Sequence, residues 1–417
     1  MRREQGWAEA EWSRFAGHGS ELDTGVSRTD YHQPKMASIE AIYLARDDAL
    51  NVETWSGTTY WIGKALEKAG FRLNYACPIA EPYRLYYRLK GRLIRMMGWD
   101  YSPAGERPWL RAYGRRATRL IAGKGGRVLF SCGRPQLPYL RTDLPIVFFD
   151  DASVPAITRT HPSVTNLFPA AKARLLEAER RVIEKCRWAC YSSEWAAEGA
   201  VRTYGGILEP KIKVVPFGAN MDVERSEAEV NSIIRGRSRQ QCNLLFVGRH
   251  WENKGGPIAL AAAEELHRRG VNVRLDVVGP DLNGALPGFV RTHGFVSKNT
   301  VAGRDLLAQL YRESHFFILP TRFEAYGIVF VEAASYGLPS LASRVGGVPT
   351  IVRSGINGEL FGLEDGGAGY ADFIMSHWTN GAAYEALCRS AFQDYGGRLS
   401  WNCFGQTVRD LVVPLLK

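Results

Sequence analysis

Residues 243–256 read NLLFVGRHWENKGG, and this stretch decides the fold. Asn243 to Val247 is a short apolar run of the length of a buried strand, and it stops at Gly248 and Arg249. A polar loop follows, closing on Lys254, Gly255 and Gly256, and Pro257 opens a helical pattern that runs to Arg269. Strand, glycine-bearing turn and helix in that order form one βα unit of a parallel sheet. The alternation continues downstream with strands at Arg274–Val278, Phe316–Leu319 and Pro339–Ala342 and helices at Asp305–Arg312 and Val329–Tyr336. Upstream it holds as well: strands are expected at Ile39–Ala45, Arg127–Phe130, Ile146–Phe149, Ala189–Tyr191 and Lys213–Val215, and helices at Gly57–Ala69, Ala171–Lys185 and Glu194–Tyr204. Between the two series lies a polar stretch, Pro216 to about Gln241. The reading is therefore α/β, with two Rossmann-like domains facing a central cleft where the strand carboxyl ends of both sheets can meet a ligand.

The NLLFVGRHWENKGG corner suits a diphosphate, because glycines admit a phosphate to the backbone, the helix start offers N–H groups, and Arg249 and Lys254 add two cations. A second motif, LPTRFEAYGIVFVEAASYGLP from Leu319, sets Glu324 and Glu332 eight positions apart around Tyr326 and Gly327. Carboxylates beside a phosphate site make sense when the ligand also carries hydroxyls. A sugar nucleotide does: Glu332 accepts from the ribose diol, Glu324 from the sugar, and the N–H groups near Gly327 and Ile328 face a phosphate.

With these motifs in hand, the chain resembles the family 4 retaining glycosyltransferases of the GT-B fold. The resemblance rests on GR-x4-KGG at Gly248–Gly256, on E-x7-E in FEAYGIVFVEA, and on GLPSLASRVGGVPTIVRSGINGELF at Gly337–Phe361. In the first half it is carried by WSGT at Trp55–Thr58, SEWAAEGAVRTYG at Ser193–Gly205 and KIKVVPFGAN from Lys211. Residues 1–36, polar and without periodicity, read as a loose extension or a misassigned start; the resemblance implies an acceptor-binding domain at 37–215, a nucleotide-sugar domain at 216–395, and a C-terminal helix at 396–417 returning to the first domain. It also implies that Arg249 and Lys254 stabilise the leaving diphosphate, that Glu324 holds the donor sugar and Glu332 the ribose, and that Gly57 lets the first loop approach the reacting centre. Transfer would retain the anomeric configuration, by same-face attack with the leaving phosphate as base. Where many members carry His-Asp after a mid-domain strand, this chain reads VFFDDAS, so Asp151 is the candidate for placing acceptor or sugar. The same Asp150–Asp151 pair also reads as a simple cap of the following segment. Adjacent aspartates do not make the D-x-D metal pair of the other common transferase fold, so neither a metal nor a cofactor is expected. The donor is a UDP- or GDP-sugar.

Composition narrows the alternatives. The 417 residues are 45% hydrophobic and 23% charged, which describes a packed protein and not a disordered one. No apolar run approaches the roughly 18 residues of a membrane span, and the polar start lacks a leader core, so a cytoplasmic protein is expected. Seven cysteines without a C-x-x-C pair read as reduced core residues. A dinucleotide-dependent oxidoreductase would need G-x-G-x-x-G after the first strand, where RDDALNVETWSGTTY has one glycine. A non-catalytic sugar-nucleotide scaffold remains as the rival, as does transfer to a soluble acceptor.

The net charge of +10 is uneven: Phe71 to Thr142 holds fifteen Lys/Arg against three acids, and the rest of the chain is slightly acidic. Such a field calls for an anionic partner. Aromatics here flank a helix instead of interleaving on a sheet, which argues against nucleic acid. Read as a helix, Arg84–Met97 puts Arg84, Arg88, Arg92 and Arg95 in one arc and Leu85, Leu89, Leu93, Met96, Tyr86 and Met97 in the next. Two arrangements fit that pattern. Either the leucines pack on the N-terminal sheet with the arginines in water, or the helix lies on the inner face of a membrane beside a lipid-linked or membrane-proximal glycan acceptor.

Overall fold

The computed structural model describes residues 38–161, 164–222, 224–282 and 284–417, so the extension expected at 1–36 lies outside the described residues. The first half runs β1 (Ile39–Ala45), α1 (Thr58–Lys68), β2 (Phe71–Ala76), α2 (Arg84–Met96), α3 (Arg107–Ile121), β3 (Val128–Cys132), β4 (Ile146–Asp150), α4 (Val154–Thr160), α5 (Pro169–Lys185), β5 (Trp188–Tyr191), α6 (Glu194–Tyr204) and β6 (Ile212–Val214). All six strands form one parallel sheet in the order β2-β1-β3-β4-β5-β6. Its centre, β3 and β4, is buried along its whole length, as expected of a parallel sheet covered on both faces.

The second half continues with α7 (Glu227–Gly236), β7 (Cys242–Val247), α8 (Gly256–Arg268), β8 (Val273–Val278), β9 (Val290–Thr292), α9 (Val301–Glu313), β10 (Phe316–Leu319), α10 (Ile328–Ala334), β11 (Ser340–Ser343), α11 (Val348–Ile351), β12 (Gly358–Phe361), α12 (Gly367–Trp378), α13 (Gly381–Arg398) and α14 (Trp401–Val412). Its parallel sheet is ordered β12-β11-β10-β7-β8-β9. The fold is thus α/β with two six-stranded parallel sheets.

Several elements differ from the expectation. The polar stretch read as a connection contains α7, started by a capping box in which Ser226 Oγ accepts from Glu229 N–H and the Glu229 carboxylate accepts from Ser226 N–H. That reciprocal pair stabilises a helix start by about 1 kcal/mol, and it lets α7 bury Val230 and Ile234 despite its polar surface. β2 went unread because it is an edge strand with Arg72, Asn74 and Tyr75 at least partly in solvent, which erases the apolar run.

The chain passes between the sheets at residues 216–220, and this crossing is pinned from both sides. Trp401 Nε1–H donates to Ala219 O (2.9 Å) and its ring stacks on Phe217 at 6.0 Å, while Asn220 Nδ2–H donates to Ser56 O (2.8 Å). Beyond Trp401, α14 lies on the first sheet's side. Arg409 donates to Ala69 O (2.7 Å), Trp188 Nε1–H donates to Leu411 O (3.0 Å), and Phe404 meets Phe149 at 5.2 Å. All seven cysteines are free thiols; five are buried, whereas Cys77 and Cys403, expected in the core, are only half-buried.

Candidate active site

In the second sheet β7 lies between β8 and β10, so the connections leaving β7 and β10 run to opposite sides. A crevice opens at such a switch point, outside the strand carboxyl ends. Both motifs are there: GRHWENKGG follows β7 and TRFEAYG follows β10. Gly255 has φ +74°, and a Cβ on it would lie 1.9 Å from Pro320 O, so glycine is what lets the two loops touch. Arg322 N–H then donates to Asn253 O (2.9 Å). The third motif joins through Gly346, at φ +51°, whose Cβ would meet Glu324 O at 1.9 Å, and Gly347 N–H donates to that same oxygen (3.1 Å).

Within this frame Lys254 Nζ and Glu324 Oε2 form an ion pair at 2.5 Å, with both side chains partly exposed. Glu332, one turn into α10, is fully buried: Lys298 pairs with Oε1 and the Tyr311 hydroxyl donates to Oε2 (3.1 Å). Each of the two glutamates thus sits with its own lysine. The Arg249 guanidinium lies 4.6 Å from the centre of the exposed Phe295 ring. Gly248 closes β7, its N–H donating to Val278 O (2.9 Å). Gly327 (φ +98°) and Ile328 begin α10. The Tyr326 ring does not reach the crevice; it is buried, its hydroxyl donating to Phe217 O (2.7 Å), so only the backbone at Tyr326 is available to a ligand.

Across the cleft, the loop after β1 carries three consecutive positive φ values, at Trp55 (50°), Ser56 (56°) and Gly57 (86°). Such backbone costs about 1–3 kcal/mol per non-glycine residue and persists only when its surroundings hold it. Two bonds do so: the one from Asn220 to Ser56 O, and Trp55 Nε1–H to Asp151 Oδ2 (2.9 Å). The two aspartates have parted. Asp150 accepts from Asp151 N–H (2.9 Å) and pairs with Arg134 (3.0 Å), which also pairs with Glu179 (2.9 Å). Glu179 further accepts from the Tyr191 and Tyr204 hydroxyls (3.1 and 2.9 Å). Arg134, counted above with the basic segment, therefore belongs to a largely buried network under the cleft.

Burial pushes the Asp151 carboxyl up from 3.8 to about 7, and the charge on Asp150 adds to the shift. Between about pH 4 and 7 the folded protein keeps a proton that the unfolded chain releases, so this group makes stability fall as pH rises through that window. Asp151→Asn, which has no proton to lose, should gain stability relative to wild type as pH rises from about 4 to about 7 in urea titrations, and hold that gain above. Parallel curves would place the ionisation elsewhere.

Residues 241–380 match the family model described as Glycosyl transferases group 1. That match takes in about a third of the chain, from β7 through α12. A D-inositol 3-phosphate glycosyltransferase of Frankia alni is 32% identical over 200 residues, covering 43% of this chain and 49% of that one. The chain spans about half the length, or less, of the curated relatives it matches. Among solved structures, sucrose-phosphate synthase from Thermosynechococcus elongatus aligns with a TM-score of 0.64 at 16% identity, over 90% of this chain and 99% of that one. Anabaena HepE in complex with UDP-glucose aligns at 0.57 and 14%, over 90% and 100%. The architecture is GT-B.

Around these motifs the structure adds residues that sequence reading missed. Lys298 is one, hidden in HGFVSKNT, which carries no motif. His161 is another: its ring packs edge-on against Phe323 at 4.6 Å, and burial, aided by Lys254, pushes its pKa down, so it is neutral at pH 7. Trp55 was part of WSGT but was not singled out. Among the described residues no group of three His, Cys, Asp or Glu side chains is placed to hold a metal ion, and no helix is long and apolar enough to cross a membrane.

Proposed function

We propose that the cleft binds a nucleoside-diphosphate sugar and transfers the sugar, with retention, to a hydroxyl of a glycan, lipid-linked or membrane-proximal acceptor. The observation that carries this reading is the Lys254–Glu324 pair at the switch point, with the buried Lys298–Glu332 pair joining the loop ahead of α9 to α10 of the same half. Without ligand each lysine is satisfied by a carboxylate. A diphosphate arriving at Gly248–Gly256 offers Lys254 a stronger partner and frees Glu324 to accept from sugar hydroxyls. Lys254 and Arg249 then face the charge that develops as the bond from the anomeric carbon to the β-phosphate oxygen breaks. The acceptor oxygen bonds to that carbon on the same face and passes its proton to the departing phosphate. Glu332, backed by Lys298 and Tyr311, takes the ribose diol; Asp151, fixed by Trp55, orients the acceptor or the sugar at the other wall.

This arrangement asks for no metal, since the counter-charge comes from side chains and backbone N–H groups. A thermal-shift panel of UDP-, GDP- and other nucleotide sugars in EDTA tests the donor class. One base should raise the melting temperature by several degrees, because a ligand at a hundred times its Kd adds about 2.7 kcal/mol. No shift with any nucleotide would overturn the reading, and a shift that requires Mn²⁺ would overturn metal independence.

A further inference from the structure

The helix α2 settles the choice that its sequence left open. Only Tyr87 and Gly91 on it are buried, with Ile94 half-buried, and this seam faces Tyr101, the residue a Cβ on Gly91 would strike. At about 100° per residue, Leu85, Leu89, Leu93 and Met96 fall on the opposite side, and Tyr86 and Met97 extend that strip along one edge. All six are exposed, Leu85 at 72% and Met96 at 78%. Of the fifteen exposed large apolar or tyrosine side chains among the described residues, seven lie within residues 83–97, so this is one face and not scatter.

Charge selects the occupant. Arg84, Arg88, Arg92 and Arg95 border the apolar strip on one flank and Lys90 on the other, and α2 contains no Asp or Glu. The neighbouring helix α3 also lacks acids, and its exposed stripe is Arg107, Arg111, Arg115 and Arg119. Glu106, between the two helices, is neutralised by Lys90 at 2.7 Å. A second copy docking here would set cation against cation. A sheet of anionic headgroups over a hydrocarbon layer matches both features, because arginine stems lie along the apolar strip while their heads reach phosphates.

We propose that α2 seats the protein on an anionic phospholipid bilayer, with its apolar strip in the headgroup boundary and the arginines of α2 and α3 on the phosphates. The strands of the first sheet are parallel, so α2, which follows β2, stands on the same rim as the loops after β1 and β4 that carry Trp55 and Asp151. Its end is tied to that rim: Asp100 N–H donates to Asn166 O (3.0 Å) and Asn166 Nδ2–H to Gly98 O (2.7 Å). Seated this way, the acceptor wall of the cleft opens beside the lipid surface, and the acceptor is a hydroxyl carried on a lipid anchor. That last clause rests on the proposed transferase function; the docking itself does not.

Co-sedimentation of the full chain with sucrose-loaded vesicles tests it. Wild type should pellet with phosphatidylglycerol–phosphatidylcholine vesicles at low salt, weakly at high salt, and poorly with phosphatidylcholine alone. Arg88→Glu/Arg92→Glu and Leu89→Glu/Leu93→Glu should each weaken binding about tenfold or more. Hydrolysis of a soluble donor should stay unchanged in both, which shows that they fold. Lys254→Ala should bind vesicles like wild type, so loss of catalysis and loss of docking are read separately. Equal partition to both vesicle types, no partition, wild-type binding by either double variant, or a dimer that Leu89→Glu/Leu93→Glu dissociates would overturn the proposal.

Discussion

Lys254→Ala and Arg249→Ala should each lower turnover by about a hundredfold or more, the usual cost of removing a charge aimed at an oxyanion that forms only in the transition state. Lys254 is positioned for this by the Gly255 contact with Pro320, which fixes the loop from which its ammonium reaches the crevice. The alanine variant also strips Glu324 of its partner, so Lys254→Ala/Glu324→Gln should cost less than the two singles added together. Steady-state release of nucleoside diphosphate, on variants whose circular dichroism matches wild type, gives the comparison. If both single variants kept wild-type kcat, these cations would not be at the reacting centre.

Glu332→Ala should act on affinity instead. Hydrogen bonds to a charged acceptor are worth about 1.5–3 kcal/mol, so losing the ribose contact should weaken nucleotide binding by about tenfold to a hundredfold. Glu332 is buried under Lys298 and Tyr311, and Glu332→Gln keeps the shape of that packing while removing the charge. Both variants should raise the dissociation constant in calorimetric titration of the nucleoside diphosphate. Glu324→Ala, next to the sugar, should depress kcat more than binding. The division of labour collapses if titration shows no loss for Glu332→Ala.

Four strands of the second half, β7, β8, β10 and β11, were legible because they are short, apolar and fenced by glycine and proline, as at NLLFVG and FFILP, while β9 and β12 were not read. α3 was less legible, since its RPWLRAYGRRATRLI reads as charge before it reads as a helix burying Trp109, Tyr113 and Ala117. At the site, motif spacing located Lys254 and Glu324 but could not say that they pair with each other, nor that Glu332 is served by Lys298 from 34 residues away. Long-range pairing of that kind depends on which strands end side by side, and local pattern carries no record of it. The α2 face shows the same limit: the arcs of arginine and leucine were readable, but neither packs on the protein, which is met by a third seam, Tyr87 and Gly91 against Tyr101.

Hydrolysis of a nucleotide sugar without acceptor, in EDTA, followed by proton NMR at the anomeric position, tests the central claim most directly. The donor identified by thermal shift should be cleaved by wild type to nucleoside diphosphate and a sugar that first appears in the donor's own anomeric configuration, and Lys254→Ala should abolish nearly all of it. A donor that binds but stays intact, or a product that first appears with inverted configuration, would contradict the account.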